Sequence, residues 1–180
     1  MSWLVFSYSL PAQSGSSSRV ALWRRLKRLG TLPHKSGVYI LPGREECAES
    51  FQWLSQEVQQ AKGNATFMRV EKFEGLSDNE LIELFHNLCK KDYRAIDASI
   101  DKFEKGLSKK VSSVEPRKVK EKFEKLKNNF AGVLQIDFFH SAYANQIQNR
   151  LNKLEEKLAG PKTKSEGLPS FPVSEYENKK

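Results

Sequence analysis

The chain has 180 residues, of which 38% are hydrophobic and 29% charged, and its net charge is +8. This length accommodates one sizeable domain, or a small domain with an appendage, and no apolar run approaches the roughly 18 residues that a membrane span requires. Two isolated cysteines, Cys47 and Cys89, argue against a disulfide framework, so we expect reduced thiols in a cytoplasmic protein.

The excess positive charge lies almost entirely in the first quarter of the chain. Residues 1–44 contain seven basic residues and no Asp or Glu, whereas the rest of the chain has 23 basic and 22 acidic residues. The seven are Arg19, Arg24, Arg25, Lys27, Arg28, Lys35 and Arg44. Such a region attracts polyanions or small oxyanions; a merely solvated surface is the alternative.

The N-terminal segment predicts a strand followed by a helix. Residues 2–10, SWLVFSYSL, are rich in aromatic and β-branched residues and stop at a proline, which favours a buried strand. A Gly/Ser loop leads to the helix RVALWRRLKRLG, for which Ser17 or Ser18 is the expected N-cap. Helical spacing predicts one packed stripe, made of Val20, Leu22, Trp23, Leu26 and Leu29.

The next segments complete a ferredoxin-like order of elements. Residues 31–43 predict two short strands with a turn near Ser36-Gly37, residues 44–62 an amphipathic helix, and residues 65–73 a strand. The packed face of that helix comprises Cys47, Phe51, Leu54, Val58 and Ala61. We therefore predict an α+β fold with a βαββαβ domain over residues 1–75; a small parallel α/β unit is the alternative.

Residues 76–160 predict a helical region packed on the first domain. Ser77 and Glu80 form a capping box for a helix of about eight turns, and further helices are expected from about Pro116 to Phe130 and from Ser141 to Ala159. The segment SKKVSSVEP is the expected hinge of a long hairpin, and AGVLQIDFFHS an apolar bend or docking segment. Residues 161–180 are rich in Pro, Ser and charge, which predicts a disordered tail.

Two features of the basic region are candidate binding elements. The Ser/Gly loop before a helix N-terminus offers amides and hydroxyls to an anion, and the basic helix could contact phosphates. The candidate residues are Ser17, Ser18, Arg19, Arg24, Arg25, Lys27 and Arg28. We assign Trp23 to the core rather than to a stacking surface, and an ordinary helix cap beside a solvated face is the alternative for the whole set.

The residue pattern argues against catalysis and metal binding. His34, His86 and His140 match no metal-ligand spacing. His86 and Cys89 are three residues apart and could share a metal, but a buried thiol beside a half-exposed imidazole is the simpler explanation. Ferredoxin-like metal nucleases place an Asp at the end of the first strand, where this chain has Tyr-Ser-Leu. We expect no enzyme activity, no metal and no cofactor, and we interpret Asp137 as a helix cap or packing partner.

Four motifs resemble the N-terminal domain of the ChrB chromate-resistance family over about residues 1–158. They are WLxxxYSLP, LWRRLKRLG, SGVYILP and QIDFF. The matching residues are Trp3, Tyr8, Ser9, Leu10, Pro11, Trp23, Arg24, Leu26, Lys27, Leu29, Gly30, Gly37, Val38, Tyr39, Leu41, Pro42, Ile136, Asp137, Phe138 and Phe139. The GVY hairpin after a basic helix is also similar to the ferredoxin-like middle domain of PaaX-type repressors and to CRISPR adaptation nucleases.

The resemblance implies a chromate-responsive regulator of a chromate efflux transporter. Longer family members continue into a second domain, so we expect a stand-alone form of the N-terminal domain. Its expected partners are chromate or a similar oxyanion at the basic surface, and promoter DNA. A metal-dependent nuclease and a protein-interaction adaptor built on the helical hairpin, with a homodimer as one form, are the alternatives.

Overall fold

The computed structural model describes residues 1–13, 15–35, 37–109 and 115–159. The strands are β1 (Trp3–Ser9), β2 (Leu32–His34), β3 (Val38–Pro42) and β4 (Asn64–Val70). The helices are α1 (Ser16–Arg28), α2 (Glu45–Gln60), α3 (Asp78–Lys109), α4 (Pro116–Leu134) and α5 (Ala142–Ala159). Most of the predicted hinge and the whole predicted tail lie outside the described residues.

The four strands form one antiparallel sheet in the order β2-β3-β1-β4. The central strand β1 pairs with β3 on one side and β4 on the other, so that Trp3 lies between Pro42 and Val70. The order of elements β1-α1-β2-β3-α2-β4 is the predicted ferredoxin-like one, and the α+β prediction is confirmed.

The two faces of the sheet pack against different helices. Alternate residues of a strand point to opposite faces, and Leu4 and Phe6 share one hydrophobic cluster with residues of α1 and α2. Trp3 belongs instead to a cluster with Leu81 and Phe85 of α3. Its ring stacks on that of Phe85 with centroids 5.9 Å apart, so the first turns of α3 cover part of the second face.

Helices α3, α4 and α5 form a bundle with a hydrophobic core of its own. The predicted capping box is present: the Ser77 amide donates to a Glu80 carboxylate oxygen at 2.8 Å, and the Glu80 amide donates to the Ser77 hydroxyl at 3.3 Å. Helix α4 continues one turn beyond the predicted end at Phe130. Burial of Val133 explains the extension, because it prolongs the helical stripe that faces the bundle core.

A charged cluster joins α5 to α3. The Arg150 guanidinium donates to Asp97, and also to Asp101 and Glu104, the latter two at 2.7 Å. The three carboxylates lie at i, i+4 and i+7 on α3, so they occupy one flank of that helix. None of the helices in the described ranges has the length and apolar character of a membrane span.

Candidate anion or nucleic-acid interface

Helix α1 begins earlier than the sequence predicted. Its N-cap is Gly15, with extended backbone angles, and no side chain caps it. The prediction of Ser17 or Ser18 as the cap is therefore wrong: both lie in the first turn, and the Ser18 amide donates to the Gly15 carbonyl at 3.1 Å. All three serines of this stretch lie inside the helix, and the residue before them, Gly15, takes the N-cap position. Both Ser17 and Ser18 are exposed at the positive end of the helix dipole.

The packed stripe of α1 is narrower than predicted. Leu22 and Leu26 are buried and Leu29 is half-buried, but Val20 is 42% and Trp23 53% exposed. The prediction that Val20 and Trp23 pack in the core is wrong. Residues 22, 26 and 29 share one face of the helix, whereas Trp23 lies about a quarter turn and Val20 nearly half a turn away from it. Leu22 and Leu26 pack in the hydrophobic cluster of the sheet and α2, and neither Val20 nor Trp23 belongs to that cluster.

The five basic side chains of α1 differ in their partners. Arg25 forms an ion pair with Glu57 of α2 at 2.9 Å, and Arg19 donates to the Pro11 carbonyl at 2.9 Å. Arg24 and Arg28 are exposed, and neither has a carboxylate of a described residue within 4.0 Å. Two of the predicted binding residues therefore serve local structure, and the others face solvent.

The exposed part of the helix combines positive charge with an aromatic ring. The Lys27 ammonium lies 5.9 Å from the ring centroid of Trp23, one turn away. We call Trp23, Arg24, Lys27 and Arg28 the α1 basic surface. An exposed tryptophan among Lys and Arg residues provides both phosphate contacts and a stacking surface for a base. The helical spacing between Trp23 and Leu26 fits a buried ring as well as an exposed one. The sequence alone therefore predicted a buried ring.

A tyrosine pair lies beside Arg19. The rings of Tyr8 and Tyr39 stack with centroids 5.9 Å apart, because their strands pair in the register Phe6–Tyr39 and place both on the same face. Burial and the neighbouring Tyr39 raise the pKa of Tyr8 to about 12, while the charge of Arg19 opposes this shift. Both tyrosines belong to the sequence motifs quoted above. The alternation of side chains along the two strands was the signal that could have predicted their contact.

The segment between α4 and α5 holds a buried carboxylate. Asp137 is 5% exposed. It accepts a hydrogen bond from the Tyr93 hydroxyl at 2.9 Å, and the Ser141 amide lies 3.1 and 3.0 Å from its two oxygens. Burial and the adjacent carboxylate both raise the pKa of Tyr93, so the phenol remains a donor. Asp137 is therefore a packing partner between α3 and the residue before α5, as one of the two predicted roles had it, whereas Ser141 caps α5, because its hydroxyl accepts from the Tyr143 amide at 3.2 Å.

The same segment docks on the sheet domain. The Phe139 ring lies 5.8 Å from that of Trp3, and the Arg44 guanidinium donates to the Phe138 carbonyl at 2.6 Å. The Arg44 charge also lies 5.5 Å from the Phe138 ring centroid. Arg44, one of the seven basic residues of the first quarter of the chain, therefore serves to attach the two halves of the protein to each other.

The histidine and cysteine pair of α3 contacts the backbone of this segment. The His86 Nε2 atom lies 3.2 Å from the Phe139 carbonyl oxygen, and the Cys89 thiol donates to the Ile136 carbonyl at 3.6 Å. Within the described ranges, no three His, Cys, Asp or Glu side chains lie close enough together to hold a metal ion.

The fold and the exposed helix define a ferredoxin-like α+β protein with a basic surface, joined to a helical bundle. A family model described as "Protein ChrB, N-terminal" matches residues 19–164. The chain therefore belongs to this family, which is related to chromate resistance. No curated protein and no solved structure matches the chain.

Proposed function

We propose that this protein is a chromate-responsive regulator of chromate efflux that binds promoter DNA through the α1 basic surface. One observation carries the proposal: Arg24, Lys27 and Arg28 lie beside the exposed Trp23 on one helix, with no acidic side chain in the set. The proposed role is binding and not catalysis.

The arrangement of the charges favours an extended polyanion over a compact one. Arg24 and Arg28 are one helical turn apart, which is a rise of about 6 Å, and both are exposed. Side chains spaced along a helix can each contact a different phosphate of a DNA backbone. A single small dianion could pair with only one of these arginines at a time, so it competes with DNA one phosphate position at a time.

The proposed effect of chromate is competition for the same cations. Chromate carries two negative charges at neutral pH, as sulfate does, and arginine binds such oxyanions through paired N–H donors. The first-turn hydroxyls of Ser17 and Ser18 lie at the positive end of the same helix and would form a second position for the ion, about 9 Å or more of helical rise from Arg24. Occupation of these groups by the ion would weaken the phosphate contacts and release DNA.

The test is fluorescence anisotropy with a labelled duplex from the region upstream of the gene, at several salt concentrations. The double variant Arg24→Ala/Arg28→Ala should bind more weakly, and the slope of log affinity against log salt should fall by about 2, since each phosphate contact contributes about 0.9. Arg94→Ala is the matched control, because Arg94 is an exposed arginine on α3. Unchanged affinity in the double variant would contradict DNA binding by α1.

Chromate response is measured in the same assay. Chromate should release the duplex at concentrations where sulfate of equal ionic strength does not, and should raise the melting temperature of the free protein in a saturable way. Equal effects of the two ions would indicate screening and would contradict a specific response.

A further inference from the structure

A groove in the helical bundle combines positive charge with an apolar floor. It lies between α3 and α4 and has a volume of about 280 Å³, near the lower end of the range of about 300–1,000 Å³ for small-molecule sites. It is lined by Ser99, Lys102, Phe103, Lys122, Lys125, Leu126 and Asn129. The lining contains three lysines and no carboxylate, and none of its residues belongs to the α1 basic surface.

The absence of carboxylates from this groove follows from how α3 distributes its charges. Its acidic residues Asp97, Asp101 and Glu104 lie on the flank that faces α5, where Arg150 neutralises them. Lys102 lies on the opposite flank of the same helix. In the part of the chain that the structure describes, Lys102, Lys122 and Lys125 have no carboxylate within 4.0 Å.

The groove therefore gathers like charges beside an apolar surface. Phe103 stacks on Phe123 with ring centroids 6.1 Å apart, and Leu126 is buried. The three lysines are exposed, so solvent and salt screen the repulsion among their ammonium groups, and an anion bound between them would be attracted by all three. A bound anion would remove the repulsion.

We propose that the α3–α4 groove binds a phosphate group, as the free ion or as part of a nucleic-acid backbone. Each lysine ammonium is a compact charge with three hydrogen-bond donors, which suits the oxygens of a tetrahedral anion. The planar guanidinium of arginine would instead match the two oxygens of a carboxylate. The Asn129 amide adds further donors at the same rim. This site is distinct from the α1 basic surface, and its test does not depend on the function proposed for α1.

The test is a titration with inorganic phosphate, followed by the amide ¹H–¹⁵N spectrum at constant ionic strength. Saturable shifts are expected at residues 99–103 and 122–129, and they should disappear in Lys102→Gln/Lys122→Gln/Lys125→Gln. Lys120→Gln is the control, since Lys120 is exposed on the same helix but does not line this groove. Binding of a labelled DNA duplex is measured with the same variants.

The two measurements distinguish the source of the phosphate. Loss of the phosphate shifts alone indicates a site for the free ion, whereas a weaker DNA affinity and a smaller salt slope in the triple variant indicate contact with the backbone. Either result supports phosphate binding in the groove, provided that Lys120→Gln behaves like the wild type in both measurements. Wild-type behaviour of the triple variant in both measurements would overturn the proposal, whatever the result for Arg24 and Arg28.

Discussion

Ile136, in the segment between α4 and α5, lies directly against Gly30 at the end of α1. A β-carbon built at Gly30 would be 2.5 Å from the Ile136 β-carbon, which is far inside van der Waals contact. Gly30 also has a positive φ of 68°. Two motifs more than 100 residues apart in the chain therefore meet where the helical bundle joins the sheet domain.

Gly30→Ala should destabilise the protein strongly. Alanine in the left-handed region costs about 1–2 kcal/mol and overpacking adds about 1–3 kcal/mol, so urea denaturation should show a loss of about 2–5 kcal/mol. Gly75→Ala is the control for the backbone contribution alone. Gly75 also has a positive φ, but a β-carbon at that position would have no neighbouring atom within 4 Å.

A double-mutant cycle isolates the contact itself. Ile136→Gly removes the whole side chain, including the β-carbon that the new methyl group of Gly30→Ala would meet, so the loss from Gly30→Ala should be smaller in that background. Equal losses from Gly30→Ala and Gly75→Ala, or strict additivity in the cycle, would show that the two residues do not interact.

Tyr93→Phe should reduce stability through the buried carboxylate. The change removes one donor from Asp137 without altering the shape of the ring, and because the Ser141 amide still donates to the carboxylate, the expected loss is that of one hydrogen bond, about 0.5–1.5 kcal/mol. Tyr143→Phe is the control, since the Tyr143 side chain is half-buried and its hydroxyl makes no hydrogen bond to a described residue. Equal unfolding midpoints for the two variants would count against the Tyr93–Asp137 hydrogen bond.

Trp23→Ala should leave stability almost unchanged, within about 0.5 kcal/mol, because the side chain is on the surface. Leu26→Ala should cost about 2–5 kcal/mol, because Leu26 is 1% exposed in the core beneath α1. The two variants are compared by thermal and urea unfolding. A large loss in Trp23→Ala would mean that the ring packs in the core after all.

The two thiols should make the protein sensitive to alkali. Burial, followed by the negative charge of nearby carboxylates, raises the pKa of Cys47 to about 11 and that of Cys89 to about 12. Thiols of an unfolded chain titrate near a pH of about 8.5. Between these values the unfolded state binds fewer protons than the folded state, so stability is fully present below about pH 8.5 and falls as pH rises.

The measurement is the urea midpoint between about pH 7.5 and 9, a range below the titration of most tyrosines and lysines. The decline should be shallower in Cys47→Ala/Cys89→Ala, whatever the absolute stability of that variant. At about pH 8 a thiol reagent should react slowly with the native protein and fast with both cysteines in urea. Rapid modification of the native protein would contradict the burial of the thiols.

The features that depend on local spacing could be predicted from the order of residues. Strand and helix periods placed the elements of the ferredoxin-like order, and the capping box of Ser77 and Glu80 set the start of α3 because its bonds span three residues. The four motifs were sufficient to identify the family that the comparison found.

Which of the regularly spaced residues are buried, and which charges are paired, became known only from the packing of the elements. Trp23 has helical spacing from Leu26, but the sheet covers one face of α1 and leaves the ring outside. Arg24 and Arg25 are adjacent and identical in type, yet Glu57 of α2 forms an ion pair with Arg25 only. Burial and pairing depend on a partner surface that is distant in the chain, and periodicity within one element carries no information about that surface.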